Sequence, residues 1–173
     1  AIDLIGMGVE NKCLLSFDVN FWDAAGPYFN CTDQRFRFIN MAAFGKPRLL
    51  AAHINPPYSI EMAALDDAKV VQEVMDALRQ VFGAAVSQLQ EYRVTNWLND
   101  PFSLGSYSYM GKGSLFDHLA ALREPFGCIS FAGEACSQFN AQCVHGAYVT
   151  GLQAGLEVLE QIKVRRLGGW NPQ

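Results

Sequence analysis

The sequence predicts an α+β fold, and three observations carry that reading. Segments near residues 11–18, 35–40 and 47–54 alternate apolar and polar side chains with the period of a strand. A stretch after Asp66 repeats its apolar residues at helical spacing. A late apolar run ending in Phe131-Ala132-Gly133-Glu134 is followed ten residues on by a second helical pattern.

Each element has a local reason. In NKCLLSFD, residues 11–18, Lys12, Leu14 and Ser16 share one face and Cys13, Leu15 and Phe17 the other. A lysine beside Leu14 either snorkels from a strand end or is partly buried, where its lowered pKa lets it act as a base or donor. Phe21-Trp22-Asp23 and Gly26-Pro27 mark an exit to a loop, and the strands at 35–40 and 47–54 are separated by a Gly45-Lys46-Pro47 turn, as antiparallel neighbours would be. After the break at Asn55-Pro56-Pro57, Asp66 or Asp67 caps a helix whose stripe is Val70, Val71, Val74, Met75, Leu78, Val81 and Phe82, ended by Gly83. A strand follows at 91–98 and stops at Asn99-Asp100-Pro101.

The segment PFSLGSYSYMGKGS, residues 101–114, reads as a long loop. Two tyrosines at alternate positions can turn one ring to a ligand and one to the protein, although an ordinary loop anchored by tyrosines gives the same pattern. Residues 129–132 suit a buried strand, Gly133 turns the chain and Glu134 stands at the strand end. Val144, Tyr148, Leu152, Leu156 and Leu159 then require a long helix that starts between Gln142 and His145, so its free N–H groups face the loop before it. Taken alone, this is equally a strand-turn-helix packing unit.

Composition excludes several classes. The chain has 173 residues, half of them hydrophobic, with 17% charged and a formal net charge of −4. Lys163, Arg165 and Arg166 form its one basic cluster, so nothing marks a nucleic-acid surface. No apolar run approaches a membrane span and no signal peptide opens the chain. The five cysteines, Cys13, Cys31, Cys128, Cys136 and Cys143, form neither a C-x-x-C pair nor an even framework, which fits a reducing compartment. His53, His118 and His145 are too scattered for a metal. The start at AIDLIGMG reads as a fragment or processed subunit.

Lys12 in NKCLLSF, the segment WLNDPFSLGSYSY from Trp97 to Tyr109, and FAGEACSQFNAQCVHGAYVTG occur in an order that resembles the C-terminal half of the flavin-containing amine oxidases. The nearest likeness is to plant-type polyamine oxidases, followed by histone lysine demethylases of the same superfamily. The resemblance runs from about Gly6 to Ile162 and rests on three separated motifs. It implies residues 1–126 as a substrate-binding domain of antiparallel or mixed sheet with packed helices. Residues 127–166 would be the C-terminal strand-helix part of a Rossmann-like FAD-binding domain, and residues 167–173 a flexible tail.

The same resemblance implies residue roles. Lys12 takes the place of the active-site lysine that holds a water against the flavin. Glu134, Val144 and Cys143 bind the cofactor, Val144 through its backbone N–H at the pyrimidine end, where a helix N-terminus stabilises the charge of the reduced ring. Tyr107 and Cys143 form the two walls of the substrate cage. With one wall small, the cage suits a long amine such as a polyamine or a lysine side chain. Ser106 stands where monoamine oxidases bond the flavin covalently, so FAD is expected to be noncovalent. Trp97 and Phe102 match aromatic positions on the cofactor side. The implied reaction oxidises a C–N bond, passes the electrons to FAD and then to O2, and yields hydrogen peroxide. The Gly6–Asn11 segment GMGVEN lacks the third glycine of the dinucleotide fingerprint, so the phosphate-binding half of the FAD site is expected in a missing N-terminal portion. An intracellular location, cytoplasmic or peroxisomal, is expected.

Overall fold

The computed structural model describes residues 2–23 and 26–167. In chain order its regular elements are β1 (Ile5–Gly8), β2 (Asn11–Phe17), β3 (Tyr28–Asn30), β4 (Phe36–Asn40), β5 (Leu49–Ile54), α1 (Tyr58–Glu61), α2 (Asp67–Phe82), β6 (Leu89–Val94), β7 (Tyr107–Met110), α3 (Phe116–Arg123) and α4 (Val144–Leu167). They form two compact units: Val9–Ser106, and Ala1–Gly8 together with Tyr107–Gln173. The expected boundary after residue 126 therefore falls after residue 106, and the first eight residues join the C-terminal part. The cause is the antiparallel pairing of β1 with β7, Ile5 to Met110 through Gly8 to Tyr107. Of the expected tail at 167–173, Leu167 closes α4 and the remainder lies outside the described residues.

In the first unit, five antiparallel strands lie in the order β3-β4-β5-β2-β6. The expected strands at 11–18, 35–40 and 47–54 are β2, β4 and β5, and the strand expected at 91–98 is β6. The short edge strand β3 lies where the sequence suggested only a loop, because its extended backbone is fixed by pairing with β4 rather than by its own residues. Alternation sorts the faces. Cys13, Leu15 and Phe17 of β2, Phe36 and Phe38 of β4, and Leu50, Ala52 and Ile54 of β5 are buried against Val70, Val74 and Leu78 of α2 in one core. Each of the buried Val, Leu, Ile and Phe side chains contributes about 1.5–3 kcal/mol through removal from water. Edge-to-face contacts of Phe17, Phe21, Trp22 and Phe82 close one end of it.

The ends of α2 are fixed as the sequence requires. The Asp66 carboxylate accepts the Lys69 N–H at 2.7 Å, and Gly83, at φ 55°, ends the helix. On the outer side Arg35 makes a forked ion pair with Asp33 (2.8 Å to one oxygen) and also binds Glu73, which accepts the Tyr58 hydroxyl at 3.0 Å. The Arg35 guanidinium holds the Asp33 carboxyl below its ordinary pKa, while burial and Glu73 push the Tyr58 phenol up.

The second unit contains the β1–β7 ribbon, α3 and α4. Gly6 lies under the Tyr109 ring, where a Cβ would come within 2.3 Å of it, so a larger residue there would have to displace the ring. The strand expected at 129–132 is absent apart from a single bridge between Phe126 and Ile129. An apolar run becomes a strand only beside another that completes its hydrogen bonds, and among the described residues none runs beside this one. The long helix starts at Val144, inside the expected window, but its apolar stripe is exposed: Tyr148, Leu152, Leu156 and Leu159 are all more than half accessible.

Candidate active site

The expected site residues divide between the two units. Lys12, Trp97, Phe102 and Ser106 belong to the sheet unit; Tyr107, Glu134, Cys143 and Val144 belong to the helical unit.

Lys12 lies in the middle of the sheet unit, on β2, between β5 and β6. Its backbone is pinned on one side, with its N–H donating to Thr95 Oγ1 at 2.8 Å and its carbonyl accepting from the Thr95 N–H at 2.9 Å. The side chain points to the open face opposite the core, and it is exposed rather than buried among apolar neighbours. The strand's alternation dictates this, since Cys13, Leu15 and Phe17 take the inner face. Cys13 shows the contrast between the faces: burial pushes its thiol up to about 12, so it stays protonated as a core filler.

Asn11 is a residue the sequence reading passed over. It is fully buried, its Oδ1 accepts the Trp97 N–H at 3.2 Å and the Thr95 hydroxyl at 3.1 Å, and it thereby fixes the chain after β6 against β2. The signal was present, as an amide at an inward position of an otherwise apolar strand face. Trp97 is partly exposed and is held further by the Gly105 N–H on its carbonyl at 2.9 Å. Phe102 is almost wholly exposed in this chain. Ser106 Oγ accepts the Glu10 N–H at 2.8 Å.

In the helical unit the loop expected at 101–114 becomes a strand at Tyr107–Met110. Tyr107 and Tyr109 therefore project on the same face, not one to each side, while Ser108 is buried on the other. Glu134 is the hub of this unit. Its Oε1 accepts the Ser108 N–H at 2.7 Å, and its Oε2 accepts the Ser108 hydroxyl at 2.8 Å and the Gln142 N–H at 2.7 Å. One carboxylate thus ties the tyrosine strand to the turn that opens α4. That turn is tight: Gln142 has φ 66°, and a Cβ on Gly146 would sit 1.9 Å from the Asn140 carbonyl oxygen. The Cys143 carbonyl accepts the N–H groups of Gly146 and Ala147 at 3.0 and 3.2 Å, and the Val144 side chain is open to solvent.

The donor chemistry at the start of α4 fits one end of a flavin. With the Gly146 and Ala147 N–H groups taken by the Cys143 carbonyl, those of Val144 and His145 are the first-turn donors left for an anion, which the dipole there favours. Among the described residues there is no group of three or more His, Cys, Asp or Glu that could hold a metal ion, and no helix is long and apolar enough to cross a membrane.

The chain belongs to the flavin-containing amine oxidoreductases: its residues 1–159 match the model described as flavin containing amine oxidoreductase. It is 33% identical to polyamine oxidase 4 of Oryza sativa subsp. japonica, over 96% of this chain and 34% of that one. It is 31% identical to histone demethylase-like protein A of Aspergillus fumigatus, over 94% of this chain and 17% of that one. Among solved structures, cyclohexylamine oxidase from Brevibacterium oxydans superposes with a TM-score of 0.73 at 21% identity, over 93% of this chain and 37% of that one, a likeness of fold. The chain thus spans about a third, or less, of these relatives. The cofactor of the family is a flavin, FAD.

Proposed function

We propose that this chain is the C-terminal part of an FAD-dependent amine oxidase, with a polyamine-type amine as substrate and O2 as electron acceptor. The observation that carries the reading is the family match over residues 1–159, which takes in both units and every expected site residue from Lys12 to Val144. Relatives named polyamine oxidases, at 33–34% identity, support the finer assignment.

FAD, when bound, accepts the electrons of the C–N bond. Lys12 extends from the open sheet face and holds a water in place. Tyr107 lines the amine's path, and the half-buried Cys143 leaves the opposite wall small. The N–H groups at Val144 stabilise negative charge at the pyrimidine end, and Glu134 supports that arrangement by fixing both Ser108 and Gln142. Ser106, carrying no thiol, leaves the flavin noncovalent. The second reading is an amine carried on a peptide, favoured by relatives named histone demethylases. With five unpaired cysteines, we place the protein inside the cell, in cytoplasm or peroxisome.

The test uses the flavin-loaded protein with Lys12→Met. The expected result is a loss of about tenfold or more in flavin reduction or reoxidation. Unchanged rates in both half-reactions would remove Lys12 from the chemistry. Peroxide formed from a methyl-lysine peptide but not from spermine or spermidine would replace the polyamine assignment with the peptide one. The 173-residue chain alone is expected to retain little FAD, and a stoichiometric yellow complex would overturn that.

A further inference from the structure

The open face of the five-stranded sheet carries a row of polar side chains whose spacing follows from the register. Asn30 of β3 is paired with Arg37 of β4, Arg37 with His53 of β5, and His53 with Lys12 of β2. Lys12, Arg37 and His53 alternate with buried neighbours and so stand on the face away from the core, and Asn30 joins them through its pairing with Arg37. At one strand spacing per step, Arg37 lies about 10 Å from Lys12 across the sheet.

A groove of about 420 Å³ sits beside this row, lined by Tyr28, Asn30, Arg37, Ile39 and His53. Its chemistry is one-sided. Arg37 has no ion pair among the described residues, whereas Arg35, two residues earlier, is saturated by Asp33 and Glu73. Tyr28 and Asn30 add neutral donors, and Ile39 supplies an apolar floor. Glu10, two residues before Lys12, is hydrogen-bonded to His53 Nε2 and does not line the groove.

We propose that this groove is a subsite for a carboxylate carried by the amine substrate, with Arg37 as the residue that recognises it. The inference rests on the reading that Lys12 marks the place of amine oxidation. It takes the second reading given above, an amine carried on a peptide, and adds an anion held at Arg37, about 10 Å from Lys12 across the sheet. A planar guanidinium with neutral donors beside it matches the two oxygens of a carboxylate, and a free polyamine offers it nothing. An amine carried on a peptide with an acidic group meets the requirement.

The experiment compares 8-aminooctanoate, octylamine and 1,8-diaminooctane as substrates of the flavin-loaded protein, for the native sequence, Arg37→Gln and Arg37→Lys. A second measurement follows octanoate binding to the same proteins by calorimetry. The native protein is expected to favour 8-aminooctanoate over octylamine in kcat/KM by about tenfold or more. Arg37→Gln loses that preference while its octylamine turnover stays within about twofold, and Arg37→Lys recovers part of it. Octanoate binding weakens in parallel in Arg37→Gln. Preference for the diamine in the native protein, or a ratio unmoved by Arg37→Gln, overturns the subsite while leaving the amine oxidase reading in place. If none of the three amines is oxidised, octanoate binding decides: binding weakened by Arg37→Gln supports the subsite, and binding that does not depend on Arg37 overturns it.

Discussion

Helices α2 and α4 have similar apolar periodicity and opposite fates. In α2, Val70, Val74 and Leu78 are at most 1% exposed beneath a five-stranded sheet. In α4, Leu152, Leu156 and Leu159 are 53–55% exposed. The difference lies in what each helix has to pack on, since amphipathic periodicity specifies a face to be covered and not the element that covers it. The sheet unit builds its own core. Among the described residues the helical unit buries Leu119, Cys136 and Ala154, and polar links tie its segments together, Glu134 to Ser108 and Gln142 and the Gly133 N–H to the Thr150 hydroxyl at 3.0 Å.

Four substitutions, each followed by urea unfolding of this chain, break or sharpen that contrast. Leu78→Ala, in the covered helix, should cost about 2–5 kcal/mol through lost burial and the cavity left behind. Ser108→Ala should cost about 1.5–3 kcal/mol, because it deletes a bond to a carboxylate in the unit that depends on such bonds; a loss under a few tenths would show that the Glu134 hub does not hold the unit. Asp33→Asn should cost about 1 kcal/mol or less near neutral pH, since its partner Arg35 is partly exposed. The sign of its pH dependence is fixed: the folded Asp33 pKa is depressed by Arg35, so its contribution is present above the ordinary carboxyl range and disappears as pH falls through the folded value. The native chain should therefore lose its advantage over Asp33→Asn in acid; a constant difference down to pH 2 would contradict the pairing. Leu156→Lys, on the exposed stripe, should change stability by about 0.5 kcal/mol or less. A loss as large as that of Leu78→Ala would mean that this face is covered.

The same contrast explains how much could be read in the sequence. The strands β2, β4, β5 and β6 and helix α2 were legible because each carries its own period and punctuation, as with Asp66 and Gly83 at the ends of α2. Strands β1 and β7 were not, since their four residues each are extended through a pairing nearly a hundred residues apart in the chain. The apolar run at 129–132 misled in the other direction, having strand composition without a partner strand. Motif order singled out Lys12, Tyr107, Glu134 and Cys143 as candidates, and strand alternation would have placed Lys12 on the outer face. Period alone could not show that Ser108 is the partner of Glu134 or that His53 stands beside Lys12, because both depend on register between distant segments.

The ribbon of β1 and β7 also limits how this chain can vary over evolution. Tyr107 and Tyr109 look one way while Ser108 looks inward to Glu134, and Gly6 accommodates the Tyr109 ring. Deleting or inserting a single residue between 107 and 110 would exchange the two faces at once, burying an aromatic ring where a hydroxyl belongs. Length variation among family members is therefore expected in the turn after Gly111, with the tyrosine strand itself kept at constant length.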